Sequence, residues 1–185
     1  MRHGGWMALM ALLAAIGAPA QAHRLDEYLQ ATTIDLARDG ITLRLRLTPG
    51  VDVAARVIGQ IDRNGDGVLS AQEQQNYAEQ VARTLSLSLN GTSIALHPDA
   101  GAFPTVAAMR GGAGTIDLAF DVRTRLENGA YRLAYSNGAS GPDTVWLANC
   151  LLPRDSSIHV TQQHRSADQS SYRLDFVVGD GKSAR

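Results

Sequence analysis

Residues 61–73 read IDRNGDGVLSAQE, a stretch that sets oxygen-bearing side chains at regular intervals around a glycine. Asp62, Asn64 and Asp66 stand two apart, Gly67 follows, and Ser70 and Glu73 close the series. Calcium is a hard cation that takes six to eight oxygens at about 2.3–2.6 Å, and one short loop supplies them only by wrapping around the ion. Counted from Asp62, the first three side chains fall at positions one, three and five. Gly67 falls at six, where the backbone turns sharply and a Cβ would clash. Val68 at seven offers its carbonyl, so its side chain is free to vary. Ser70 at nine binds directly or through water, and Glu73 at twelve reaches back with both oxygens. The spacing predicts a Ca2+ site made by Asp62, Asn64, Asp66, Val68, Ser70 and Glu73.

Such a loop must be held at both ends. Before it, Val53, Val57 and Ile61 recur at helical spacing; after it, Tyr77, Val81 and Leu85 do the same. Ser70 and Glu73 also form an S-x-x-E capping box, so one pair of residues starts the second helix and belongs to the ligand series. Every constrained position of D-x-[DN]-x-[DN]-G-x5-E is filled. Loop and flanks together resemble the EF-hand family, and apolar Ile61 and Leu69 stand where EF-hands anchor the loop to its helices. The resemblance implies a helix-loop-helix over residues 51–85 that binds calcium.

The chain departs from that family in one respect. EF-hands come in pairs, yet Asp39-Gly40 and Asp180-Gly181 lack the ligand series and read as turns. A single copy argues against a dockerin, and the lack of a Met-rich groove argues against a calmodulin-like sensor. A lone hand needs bracing from the surrounding domain or from a second chain. Three carboxylates, partly offset by Arg63, suggest the weak affinity of extracellular modules, about 10⁻⁴–10⁻³ M. Calcium at tenfold to hundredfold excess would then add on the order of 1–3 kcal/mol of stability.

The rest of the chain alternates with a period of two. Ile41, Leu43, Leu45 and Leu47 mark a half-buried strand, and residues 28–36 pair with it across Arg38-Asp39-Gly40. Leu85, Leu87 and Leu89 mark another, turned by Asn90-Gly91 into a return strand over 93–96. Residues 98–114 are Gly- and Ala-rich and read as a long loop. Strands follow from Ile116 to Val122, from Tyr131 to Tyr135, and over 145–152, 157–163 and 172–178. Eight or nine short strands with regular turns predict a mainly β fold, an antiparallel β-sandwich with the helix-loop-helix inserted between its second and third strands.

Residues 1–22 read as a signal peptide: Arg2 is basic, residues 6–18 are apolar, and Ala20-Gln21-Ala22 is a cleavage site. The mature chain is expected to start at His23, with a domain over 23–178, a loose tail over 179–185 and a periplasmic or secreted address. No later stretch is apolar enough to span a bilayer. A net charge of −1 without a basic block excludes nucleic acid as a partner. Cys150 is the only cysteine, so no internal disulfide forms, and its apolar neighbours predict burial.

Weaker constellations remain. The α-amine and imidazole of His23 would chelate Cu(II), as at the N-termini of exported copper carriers of the CopC type and of lytic polysaccharide monooxygenases, which this end resembles. His97, His159 and His164 are candidate second ligands, although His159 and His164 face opposite sides of a straight strand. Cys150 with either strand histidine is the only thiol–imidazole pairing, and nothing local activates the thiol, so no enzyme is expected. The glycines of residues 111–114 do not open a helix after a strand, so a phosphate cradle is unsupported. Tyr131 and Trp146 read as sheet packing. Finally, AHRLDEYLQAT, LANCLLP and QQHRSADQ resemble the exported N-terminal domain of hydrogenase/urease-accessory proteins of the HupE/UreJ type, which implies an envelope module. The functional expectation is extracytoplasmic calcium binding that stiffens the insertion and a surface for an envelope or secreted protein partner. The alternative is a copper or transition-metal carrier built on His23.

Overall fold

A computed structural model describes residues 26–141 and 143–180. Strands β1 (Tyr28–Ala37) and β2 (Gly40–Pro49) form the expected hairpin, with Ala37 opposite Gly40 across a two-residue turn. Ile41, Leu43, Leu45 and Leu47 are buried while Arg44 and Arg46 face water, as a period of two requires. Gly40 is needed for close approach: a Cβ there would sit 2.9 Å from the Val122 carbonyl oxygen.

The chain then leaves the sheet as helix α1 (Val51–Ile61), the metal-type loop, and helix α2 (Ala71–Ala82). It returns as β3 (Leu85–Leu89) and β4 (Thr92–Ile94), joined by Asn90-Gly91 with φ of 50° and 82°. Positive φ at both turn residues is what this dipeptide favours in a tight hairpin. The return strand is shorter than the expected 93–96 and begins at Thr92.

Residues 98–114 are not one long loop. They hold strand β5 (Ala100–Ala102) and helix α3 (Val106–Arg110), which Thr105 caps by accepting the Ala108 N–H. Five residues are too few to show a helical period in sequence, and their order comes from packing: Met109 is fully buried. The remaining strands are β6 (Ile116–Arg123), β7 (Gly129–Asn137), β8 (Thr144–Cys150), β9 (Ile158–Arg165) and β10 (Ser171–Val178).

Two five-stranded sheets result, ordered β5-β6-β2-β1-β8 and β4-β3-β7-β10-β9. Their inner faces, with Leu43, Leu45 and Phe120 on one and Leu133, Leu174 and Phe176 on the other, share one apolar core. The fold is the expected sandwich with one exception: β8 runs parallel to β1, from Tyr28 beside Thr144 to Ile34 beside Cys150. The β7–β8 connection crosses from one sheet to the other, so hairpin logic does not apply there. Gly179 is tied to the domain, since its N–H bonds the Ser157 carbonyl and Arg38 donates to its carbonyl. Residues 181–185 and the expected signal peptide lie outside the described residues.

The insertion is braced by its own domain. Helix α1 buries Val53, Ala54, Val57, Ile58 and Ile61 into the common core. Full burial of a Val or Ile side chain contributes about 1.5–3 kcal/mol, enough to hold a helix of a length that is marginal alone. Helix α2 buries Tyr77, Ala78 and Ala82, and Tyr77 meets Phe103 edge-on at 6.2 Å. Helix α3 packs on α1, and a Cβ on Gly114 would sit 2.7 Å from the Met109 nitrogen.

Candidate metal centre

The loop between α1 and α2 closes on itself through its side chains. Asp62 ends α1, its N–H bonded to the Ile58 carbonyl at 2.8 Å. Its carboxylate then accepts the Gly65 N–H at 2.8 Å and the Gly67 N–H at 3.0 Å. Asn64 Oδ1 accepts the Asp66 N–H at 3.0 Å, and Asp66 Oδ1 accepts the Val68 N–H at 2.8 Å. Gly65 and Gly67 have φ of 72° and 80°, the left-handed region that glycine enters at no steric cost.

Glu73 reaches back across the loop. Its Oε1 accepts the Arg63 N–H at 2.8 Å, while Oε2 accepts the Ser70 N–H at 3.0 Å and the Ser70 hydroxyl at 2.7 Å. The capping box predicted from Ser70 and Glu73 is therefore formed. The hydroxyl and backbone N–H of Ser70, with smaller help from the Arg63 and Asn64 N–H groups, hold the Glu73 carboxyl below its usual range.

The predicted ligands thus lie on one turn of chain, but they do not converge as a ready-made cage. Among the described residues no three His, Cys, Asp or Glu side chains stand close enough to hold an ion. The loop's own N–H groups bond the carboxylates of Asp62, Asp66 and Glu73, contacts that an ion would share or replace. The donor chemistry still fits calcium. The set offers three carboxylates, one amide oxygen and one hydroxyl, all hard oxygens. The ion pairs among the described residues all lie elsewhere, at Arg46–Asp117, Arg56–Asp143, Arg125–Glu127 and Arg132–Asp175. Among the described residues no ion pair neutralises the loop.

The histidines give a different picture. His23 lies outside the described residues, and His97 is exposed. His159 and His164 do not face opposite sides. The β9 register slips by one residue opposite Asp175/Phe176, which places His159 beside Val177 and His164 beside Arg173, both outward positions of β10. The two partners are four residues apart, so the histidines stand about 13 Å apart and share no ion.

Cys150 is half-buried and its thiol donates to the Leu151 carbonyl at 3.2 Å. Burial, with the Asp35 charge second, pushes the thiol up to about 11, the opposite of an activated nucleophile. Tyr131 stacks on Phe176 at 5.2 Å, as sheet packing requires.

One constellation escaped the sequence. Tyr28, Gln30 and Thr32 all point inward from β1, and each meets a polar partner. Tyr28 meets the Tyr77 hydroxyl at 2.7 Å, Gln30 the Asn137 amide at 2.7 Å, and Thr32 the Tyr135 hydroxyl at 2.7 Å. The signal was present: Ile34 and Leu36 fix the inward phase, and a strand without a bulge carries that phase back to residue 28.

Compared with known proteins, the chain matches no protein-family model and no curated protein. Among the described residues no helix is long and apolar enough to cross a membrane.

Proposed function

We propose that the chain is an exported calcium-binding module in which one EF-hand-like loop controls the stiffness of the helix-loop-helix insertion. The observation that carries this reading is the return of Glu73, at the twelfth loop position, to within 2.8 Å of the Arg63 N–H at the second. A loop of twelve residues folded this way carries, on one short stretch of chain, the kind of hard oxygens that a divalent ion needs. Calcium would exchange part of Glu73's contact with Ser70 and Arg63 for contact with the ion. That exchange offsets some of the binding energy and supports weak, millimolar-range affinity of about 10⁻⁴–10⁻³ M. Because α1 and α2 are built into the sandwich core, ordering the loop would stiffen a surface at one end of the domain. An envelope or secreted protein is the partner class that the likeness to the HupE/UreJ type favours.

Calorimetric titration of calcium into the chain tests the reading. Wild type gives a saturable isotherm, and Glu73→Gln loses at least tenfold in affinity, because an amide cannot bind an ion with two charged oxygens. Equal isotherms for the two proteins would overturn it.

A further inference from the structure

A cleft of about 280 Å³ lies where the insertion meets the sandwich, and calcium binding makes no use of it. Its floor includes Tyr28 and Gln30 of β1, its sides come from α1 and α2, and the segment 138–141 between β7 and β8 closes it. The volume falls just below the ~300–1,000 Å³ of pockets for drug-sized ligands.

The floor is short of hydrogen-bond acceptors. The backbone N–H of Ala139 donates to Asn137 Oδ1 at 3.0 Å, which fixes the orientation of that amide. Asn137 Nδ2 must then donate to Gln30 Oε1, at 2.7 Å, so the Gln30 NH2 is left over. Gln30 is only 5% exposed, lines the cleft, and its NH2 finds no acceptor among the described residues. Trp146 lies beside Gln30 in the β1–β8 register, and its indole N–H is buried without a partner. A cleft-lining amide with a spare donor suits an oxygen-bearing ligand, and the buried Trp146 N–H, which does not itself line the cleft, sits close enough to report on its neighbour.

The walls define its class. Among the described residues Arg56 is the only ionisable cation on the cleft, and Asp143 pairs with it at 2.7 Å. Gln60, Gln80, Thr84, Ser140 and Thr144 add amides and hydroxyls. Tyr28 and Tyr77 share one hydroxyl proton, which leaves the other free to donate. A charged ligand finds no counter-charge here. A peptide finds no free strand edge, because β1 is paired on both sides by β2 and β8. We propose that this cleft binds a neutral, hydroxyl-rich small molecule about one sugar ring in size, held on its floor by the Gln30 amide.

Heteronuclear NMR on the full chain tests the proposal, with D-glucose, N-acetyl-D-glucosamine and maltose as neutral probes and glucuronate and diglycine amide as contrasts. The titrations are run in chelator and again with calcium, so that failure of the metal reading leaves this result legible. The Gln30 side-chain amide and the Trp146 indole N–H should shift with at least one neutral sugar at up to tens of millimolar. Gln30→Leu should weaken that sugar about tenfold, the factor carried by one ordinary hydrogen bond. Should that variant fail to fold, Gln80→Ala on the exposed side of α2 should still weaken binding severalfold. Silence at both resonances with every sugar would overturn the proposal. So would tighter binding of glucuronate or diglycine amide, or wild-type affinity in the folded variants.

Discussion

The hydroxyl of Tyr77 lies 2.7 Å from that of Tyr28, and this contact ties helix α2 to strand β1 across the mouth of the insertion. Tyr77 stands four residues after Glu73, one turn along the same helix face. The glutamate that closes the loop and the tyrosine that anchors the helix therefore move together. Tyr77→Phe should lower stability by about 1–2 kcal/mol, because the Tyr28 hydroxyl stays buried without its partner. Tyr28→Phe combined with Tyr77→Phe should cost less than the two single changes added, since neither hydroxyl is then stranded. Urea denaturation midpoints at constant slope measure both.

Alkaline pH should weaken the fold through the same residues. Burial, then the nearby Tyr77, pushes the Tyr28 hydroxyl well above the ordinary tyrosine range, and burial raises Tyr77 as well. Burial also pushes Tyr135 up to about 12, against the lowering pull of Thr32 and Asn137. A raised pKa in the folded state favours the neutral form. The stability it contributes is complete below the unfolded value of about 10 and is lost as pH rises toward the folded value. The urea midpoint should stay flat up to about pH 10 and fall above it. A midpoint that stays level through pH 11 to 12 would contradict the buried state of these tyrosines.

Ser70 can separate the helix cap from the metal-ligand role proposed for Glu73. Its side chain and backbone both bond Glu73, so Ser70→Ala removes one half of the capping box and leaves the Glu73 carboxylate in place. The loss should be about 0.5–2 kcal/mol without calcium. Calcium affinity should fall less than in Glu73→Gln, because the ninth loop position binds through water as readily as directly. Thermal denaturation with and without calcium distinguishes the two roles.

Local devices were legible in the sequence, and long-range ones were not. Asn90-Gly91 and the Ser70–Glu73 box each specify their own backbone, and both formed where expected. The candidate ligand series is equally local, so spacing alone puts its six residues on one loop. Their bonds to the loop's N–H groups were not visible, because these depend on the path the backbone takes between them. Strand period cannot report which strand lies alongside, so the parallel β1–β8 pair stayed hidden. A bulge is a single extra residue with no compositional mark, so an unbroken period of two sets His159 and His164 on opposite faces when the strand in fact sets them on one.

Met109 offers a test of whether helix α3 helps to brace the helix-loop-helix. This side chain is fully exposed to the core and not to water, on a helix too short to stand without its contacts. Helix α3 packs on α1, whose last residues lead into Asp62. Met109→Ala should therefore cost about 2–5 kcal/mol, the range for emptying a buried site of that size. Gly114→Ala attacks the same contact from outside, since its new methyl would lie 2.7–2.8 Å from Met109 atoms. Overpacking of that kind costs about 1–3 kcal/mol. If α3 is the brace, both variants should also weaken calcium binding, although neither touches the loop. Loss of stability with unchanged calcium affinity would show that the sandwich alone supports the insertion.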